Sequence, residues 1–242
     1  MVVKYDDYTL RLADIATHNI VDLYEAMRMP GEDIYENLEV NGKDVKTVSD
    51  AIEYTRQELF SDDGLKSLKD MIKDCSEFID DPDISNEYIS ARNGLNDFCI
   101  ARVYNSLRDS GKYDKNQLGI IKKSFEQGLT TDQVAVFADP EFSPDQMNEF
   151  RRGFEHGLSE NQVRTFANPK YDADQIYQIC AGFVNRLSSD QVAVFADPKF
   201  DSEQMKSMRM KLEEQNAHKH EVQPERTSVR VKPPVQRTGK SR

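Results

Sequence analysis

The sequence predicts an all-α protein: a helical N-terminal domain with at most one small β-hairpin, followed by a short α-solenoid of helix-pair repeats. Two observations lead to this prediction. A 29-residue pattern recurs three times in the second half of the chain, and the first half shows helical spacing of its apolar residues. We therefore predict an acidic, mainly helical domain at 1–110, three and a half repeats at 111–215, and a disordered basic tail at 216–242.

The N-terminal domain is predicted from apolar periodicity. The stretch "TLRLADIATHNIVDLYEAMRM" carries apolar residues at helical spacing until Pro30-Gly31 ends the pattern. Asn41-Gly42, between short apolar stretches, is the one hairpin signal. Further helices are expected near 49–60, 64–79 and 85–109.

The repeat is visible in three aligned stretches. They read "LTTDQVAVFADPEFSPDQM" from Leu129, "LSENQVRTFANPKYDADQI" from Leu158 and "LSSDQVAVFADPKFDSEQM" from Leu187. Each stretch holds two hydroxyl or Asp residues with Gln three positions later, which is the pattern of a capping box. Apolar residues flank each box as a hydrophobic staple. Each copy therefore begins two helices, and its glutamines are helix-start signals rather than catalytic groups.

The two helices of a copy differ in length. In the first copy we expect a short helix over 131–138, ended by Asp-Pro, and a longer one over 144–156. Gly128 and Gly157 stand where a left-handed residue closes a helix, whereas the third copy has Arg186 there, so its cap should be weaker or different. Ser124, Gly153 and Gly182 share one position, where a small residue lets a neighbouring helix come close.

A half-copy precedes these repeats. Tyr113, Asp114 and Gln117 match Phe142, Ser143 and Gln146 at the same offset. One helix and three helix pairs therefore span 113–215. A single pair has too little apolar surface to fold alone, so stacking into a solenoid is expected.

Charge and cysteine usage limit the functional classes. The chain has 242 residues and a formal net charge of −11. Seven Lys/Arg and two Asp/Glu lie in the last 27 residues, so the rest of the chain carries −16. Three widely spaced cysteines without a CxxC pattern fit reduced thiols. No signal peptide or membrane span is evident, so a cytoplasmic protein is expected.

Motifs for catalysis and for cofactors are lacking. The chain has no phosphate-binding glycine loop, HExxH or GxSxG pattern. His218 and His220 have no third ligand nearby, which makes a poor metal site. The acidic pairs near 62 and 80 fit helix N-termini better than calcium binding, since the residue pattern of an EF-hand is missing. We predict no cofactor, no metal and no enzyme, although an unrecognised active site within 1–110 stays open.

The pattern over 128–159, "GLTTDQVAVFADPEFSPDQMNEFRRGFEHGLS", resembles a short helical repeat of poorly characterised proteins from gut Firmicutes, often carried on phages and integrative elements. The resemblance covers about 113–215. It brings no catalytic residue with it, and it implies a mobile-element or phage origin that makes a role directed at a host or a defence system more plausible.

Several functions follow from these observations. The first is a non-enzymatic protein-protein interaction module, because repeat arrays commonly bind extended partners. The second is an anti-defence inhibitor, for example of a CRISPR or restriction nuclease, whose acidic surface competes with nucleic acid; ordinary solubility explains the same charge. Direct nucleic-acid binding through the basic tail would be weak and salt-sensitive. The partner is expected to be a protein, and no membrane association is expected.

The candidate partner-binding residues lie on the second helices, where the copies vary while the core is kept. Asn148, Tyr177 and Lys206 occupy the same position in successive copies, and one turn further come Arg152, Ala181 and Met210. Stacking would align them as one ridge that mixes cation, aromatic and thioether groups. Tyr177 is the expected anchor; the alternative is that it is buried between neighbouring helices.

Overall fold

The computed structural model of the protein describes residues 5–28, 38–78 and 80–221. Within these ranges the chain is mostly helical, with one two-stranded sheet, so the all-α prediction is confirmed. The chain forms two compact units, 1–151 and 152–242. Because α4 contacts both α5 and α6, the N-terminal helices and the first repeat helices belong to one unit. The predicted domain boundary after residue 110 remains a prediction.

The first unit contains seven α-helices in its described part, and the last of them crosses into the second unit. They are α1 Asp7–Ala26, α2 Val48–Phe60, α3 Asp62–Asp74, α4 Pro82–Asp109, α5 Lys115–Glu126, α6 Thr131–Ala135 and α7 Pro144–Glu155. A 3-10 turn, Cys75–Phe78, follows α3. The Pro30-Gly31 end signal lies outside the described residues, and α1 ends before it.

The core of this unit lies between α1, α2, α3 and α4. Ile20, Leu59, Leu68 and Phe98 are among its fully or almost fully buried residues. Asn105 Nδ2 on α4 donates to Thr9 Oγ1 on α1 at 2.6 Å, which satisfies both groups inside the unit. These contacts hold α4 against α1, and α3 packs on α2 and α4.

The predicted hairpin is present. Strands β1 Glu39–Val40 and β2 Lys43–Asp44 pair antiparallel across Asn41-Gly42. Both turn residues have positive φ, 51° at Asn41 and 74° at Gly42. A two-residue turn of this kind needs that conformation at both positions, which explains the Asn-Gly sequence.

The second unit contains the end of α7 and four further helices in its described part. They are α8 Glu160–Arg164, α9 Ala173–Val184, α10 Ser189–Ala193 and α11 Ser202–Glu221. In this unit α9 packs against both α10 and α11. The position for small residues is explained here, because a Cβ on Gly182 would lie 2.9 Å from the ring of Phe195. Gly153 is also restricted, since a Cβ there would lie 3.2 Å from Cys180 Sγ and 3.2 Å from Leu158 Cδ1.

The capping boxes predicted from the repeat are formed. In α8, Ser159 Oγ accepts from the backbone N–H of Gln162, and the Gln162 side chain accepts from the backbone N–H of Ser159. The other predicted pairs form the same two bonds at the starts of their helices. The short first helices end earlier than predicted: α6 ends at Ala135 rather than at 138. Beyond it, Val136 and Phe137 bond three residues back, a tighter turn that leads into Asp139-Pro140.

The helix ends after α5, α7 and α9 share one geometry. Gly128 and Gly157 have φ of 87° and 85°, and Arg186 takes the same left-handed conformation at 66°. At each end the following leucine donates to the carbonyl five residues back, as in Leu187 N to Gly182 O at 3.0 Å. The third cap is therefore not different in shape. That the third cap is weaker stays a prediction, which rests on the cost of a left-handed conformation in a residue that has a Cβ.

The capping glutamines of the longer helices have a second role that the sequence did not suggest. Gln175 Oε1 accepts from the backbone N–H of Asp172, while its Nε2 donates to the carbonyl oxygen of Phe200 at 2.6 Å. Gln117 repeats this in the first unit, with Nε2 to Phe142 O at 2.7 Å. Each of these side chains therefore joins the start of one helix to the loop of the next copy.

The last helix corrects the predicted tail. Residues 216–221 were assigned to a disordered tail, but α11 continues to Glu221. At Asn216 the helix is held from outside, because Asn216 and Gln191 exchange two side-chain hydrogen bonds, at 2.8 and 3.1 Å. The disorder predicted for the rest of the tail concerns 222–242, which lie outside the described residues.

Candidate functional site

The candidate site is an exposed face on α9 and α11 of the second unit. The buried side of α9 holds Ile176 and Ile179, both fully buried. On the opposite side Tyr177 is 46% exposed. Half of this tyrosine is therefore open to solvent, and it is not enclosed between the helices as the alternative required.

Val184 extends this exposed face and was missed by the sequence reasoning. It lies two turns after Tyr177 on the same side of α9, is 40% exposed, and half-buried Ala181 stands between them. A signal for it existed in the alignment of the copies, which carry Glu126, Glu155 and Glu213 at this position. A valine where every other copy has a carboxylate makes the α9 face apolar.

The α11 part of the site contributes a thioether and a cation. Met210 is 55% exposed, and Lys206 lies one turn before it. Lys206 Nζ is 3.5 Å from Glu203 Oε2, and both side chains are largely exposed, so this ion pair is weak and easily exchanged. We call the exposed set Tyr177, Val184, Lys206 and Met210 the α9–α11 face.

A polar clasp fixes the two helices beneath this face. Arg209 on α11 donates to Gln178 Oε1 on α9 at 3.1 Å and to Glu213 Oε1 at 2.6 Å. Asn185, at the end of α9, donates to the same Glu213 oxygen at 2.8 Å. The Arg209 and Glu213 side chains are mostly buried, so their bond is stronger than that of a fully solvated pair. The face is therefore carried by helices in a fixed relation, which suits preorganised binding.

The other predicted ridge residues lie on α7. Arg152, the first residue of the second unit, is exposed and has interactions of its own. Asn148 belongs to the first unit, where its Oδ1 accepts from Arg151 Nη2 at 2.8 Å and from Arg151 Nε at 3.2 Å. Arg151 is itself buried and also donates to Gln127. Asn148 is thus occupied in orienting an arginine, and the continuous ridge through all predicted residues stays a prediction.

Titratable groups in the second unit serve structural roles. Burial, with the nearby Asp197 carboxylate, raises the pKa of Tyr171, whose hydroxyl donates to Ala196 O at 2.8 Å. Hydrogen bonds from Lys199 lower the pKa of Asp197. At neutral pH the Tyr171 phenol is therefore neutral and the Asp197 carboxyl is ionised. These are the forms in which Tyr171 can donate and Asp197 can accept the hydrogen bonds described. Neither residue lies on the α9–α11 face.

Metal ligands and free thiols do not form a site in the part of the chain that the structure describes. In the described ranges no group of three or more His, Cys, Asp or Glu side chains could hold a metal ion. Cys75, Cys99 and Cys180 are buried free thiols. Among the histidines, His18 Nδ1 lies 2.7 Å from the carbonyl oxygen of Asp14, one turn earlier on α1.

Comparisons with known protein families, with curated proteins and with solved structures found no match. Among the described helices, none carries an apolar stretch of the length and hydropathy that a bilayer crossing needs.

Proposed function

We propose that this chain is a non-enzymatic module that binds a protein partner through the α9–α11 face. The observation that supports this proposal is the exposure of Tyr177, Val184 and Met210 on two helices that are packed against each other. Aromatic and Met side chains are enriched in protein interfaces, and an exposed tyrosine offers a large contact area at small entropic cost. Stacking of all repeats into one solenoid, with Arg152 and Asn148 extending the face, is part of the proposal.

The chemistry of the face defines its partner. An apolar stripe of Tyr177, Ala181 and Val184 needs an apolar groove or ridge of similar length on the other protein. Lys206, exposed on α11, favours acidic groups at the edge of that groove, where charge sets specificity and association rate, and the predicted ridge would add Arg152. The partner we expect is therefore a folded protein with an apolar surface bordered by carboxylates.

The acidic surface supports a second candidate, an anti-defence inhibitor that competes with nucleic acid. Part of that acidity already has a structural role, since acidic residues in the first turn stabilise helices through the macrodipole. Such residues begin most helices of the described chain: Asp7, Asp50, Asp62, Asp63, Asp132, Asp145, Glu160, Asp174, Asp190 and Glu203. The interaction module is therefore the better supported proposal, and the phage or mobile-element origin stays a prediction.

The experiment compares two double variants that make the same chemical changes. Tyr177→Ala with Arg152→Glu alters the proposed site, while Tyr8→Ala with Arg11→Glu alters two exposed residues of α1. Each immobilised protein is used to capture partners from a lysate of the source cells. A captured partner is then purified and titrated against the wild type and both variants, after circular dichroism has confirmed equal helicity.

Truncation of an interface anchor typically costs about 2 kcal/mol or more, so we expect the site variant to weaken binding about thirtyfold or more. The α1 variant should bind within about twofold of the wild type. Equal affinity of the site variant would refute the proposal. Release of a captured nuclease by added DNA, with no effect of the Tyr177 change, would favour the competing inhibitor.

A further inference from the structure

The first unit has a pocket that is far in sequence from the α9–α11 face and that the proposed protein interface does not use. Helices α3 and α4 of the first unit, with Thr131 at the start of α6, line an open pocket of about 280 Å³. Its floor is formed by buried Ile72, Tyr88, Leu95 and Cys99, and its rim by polar and charged side chains. The pocket thus has an apolar floor beneath a polar opening, the general form of a small-molecule site.

Three cations lie on this rim: Lys69 and Lys73, one turn apart on α3, and Arg92 on α4. Neutral donors add to them, Asn96 from α4 and Thr131 from the start of α6. The first 110 residues carry twelve Lys/Arg and twenty-four Asp/Glu. Three cations around one opening therefore form a positive cluster in an acidic part of the chain.

Within the described residues these cations form no salt bridge between the two helices, and the contact that Lys69 of α3 makes with α4 is a hydrogen bond to the neutral Cys99 thiol. In the described ranges, no ion pair connects Lys69, Lys73 or Arg92 to an acidic side chain, whereas Arg102 on the same helix pairs with Asp62 of α3 at 2.6 Å. The α3–α4 contact therefore has its own salt bridge, and the rim cations remain available to a ligand.

Nearby charged side chains act on Cys99 in the floor of the pocket. Burial is the main effect on Cys99 and raises the pKa of its thiol. The next effects, from Lys69 and Arg102, act to lower that pKa, and the opposing effect of Asp132 is weaker than either. At Cys99, the two cations therefore outweigh Asp132.

We propose that this pocket binds a small organic anion, an apolar body of one or two rings with a carboxylate or phosphate group. The rings would lie on Tyr88 and Leu95, and the anionic group would reach Lys69, Lys73 and Arg92. Charge-assisted bonds of this kind are about twice as strong as neutral ones, and arginine can bind such a group through two parallel bonds. The volume lies just below the roughly 300–1,000 Å³ of pockets for drug-sized molecules, which limits the ligand to a small one.

The experiment titrates the full-length protein with three probes that share one ring system: 1-naphthyl phosphate, 1-naphthoate and neutral 1-naphthol. The two anions distinguish a phosphate from a carboxylate ligand, and 1-naphthol measures the apolar floor alone. Lys69→Met with Lys73→Met removes two rim cations and keeps their chain length. Lys66→Met with Lys112→Met is the matched control, since both of its lysines are exposed and neither lines the pocket.

At least one anion should bind saturably to the wild type, and its affinity should fall as salt is added. The affinity of neutral 1-naphthol should be at least about tenfold lower, the difference expected from one charge-assisted contact. The pocket variant should lose about tenfold in affinity for the anion, and Arg92→Met should lose a similar amount. The control should stay within about twofold of the wild type.

Three outcomes would overturn the proposal: no saturable binding of either anion at millimolar concentration, equal binding by the pocket variant and the control, or equal binding of 1-naphthol. An acidic pentapeptide with one phenylalanine completes the set of probes. If that peptide binds while neither naphthyl anion does, the pocket belongs to a protein partner and the small-anion assignment is wrong.

Discussion

Replacing Gln175 by Glu tests the double role of the capping glutamines. The Glu side chain can still accept from the backbone N–H of Asp172, as Gln175 does at 2.8 Å. It loses the two donors that reach Phe200 O at 2.6 Å and Pro198 O at 3.3 Å, and it places a carboxylate against those carbonyl oxygens. Because Gln175 is 5% exposed, water cannot restore the lost bonds.

The cost follows from those contacts. Two lost hydrogen bonds amount to about 1 kcal/mol each, and carbonyl groups left without a donor add about 1–3 kcal/mol. We therefore expect Gln175→Glu to lower the free energy of unfolding by about 3–5 kcal/mol at pH 8. The measurement is urea unfolding of the full-length chain, followed by circular dichroism.

Gln162 offers a matched control, because Gln162→Glu makes the same change in a capping box. Its Oε1 accepts from the backbone N–H of Ser159 at 2.9 Å, and its side chain is only half-buried. Glu is a normal member of this motif, so stability should change by about 0.5 kcal/mol or less. Equal losses at the two positions would refute the second role of Gln175.

The effect should also depend on pH. Burial against two carbonyl groups raises the pKa of the new Glu carboxyl in the folded state above the unfolded value of about 4.3. The destabilisation is therefore complete above the folded pKa and fades as the pH falls towards the unfolded one, where a protonated carboxyl can donate again. A loss that is constant between about pH 8 and pH 4.5 would contradict the proposed burial of charge.

Three further changes test other parts of the structure. Arg186→Gly should raise the free energy of unfolding by about 1 kcal/mol, since glycine adopts a φ of 66° without strain; an unchanged or lower stability in urea would count against this. Thr55→Val should be neutral or stabilising by about 1 kcal/mol, because buried Thr55 Oγ1 has no hydrogen-bond partner in the described ranges; a clear loss in thermal unfolding would reveal one. A chain ending at 221 should keep the melting temperature of the full chain, whereas one ending at 215 loses the Asn216 bonds to Gln191 and should melt lower.

The parts of the fold that the sequence predicted correctly depend on local chemistry. Capping boxes involve residues three positions apart, and the Asn41-Gly42 turn requires positive φ at two adjacent residues, so both are evident in a short window. The requirement for a small residue at Gly182 was also visible, because Ser124 and Gly153 occupy the same position in the two preceding copies. The structure adds which neighbour requires it, namely the ring of Phe195.

The features that were missed depend on residues distant in the chain. The amide of Gln175 reaches a carbonyl 25 positions later, and the helix through Asn216 is held by Gln191, also 25 positions away. In the candidate site, Tyr177 is exposed because the helices packed against α9 cover other sides of it. The pocket in the first unit likewise combines Lys69 with Arg92 and Thr131, which no periodicity connects.

The bridge made by Gln175 has a consequence for how such a protein can change over generations. Its acceptors are main-chain carbonyl groups, which every amino-acid sequence supplies, and the same holds for Gln117. A copy duplicated in register therefore brings its own donor and meets ready acceptors, without any matching substitution in its neighbour. Unequal recombination within the gene can thus lengthen or shorten the array by whole copies, while the exposed positions of each copy diverge independently.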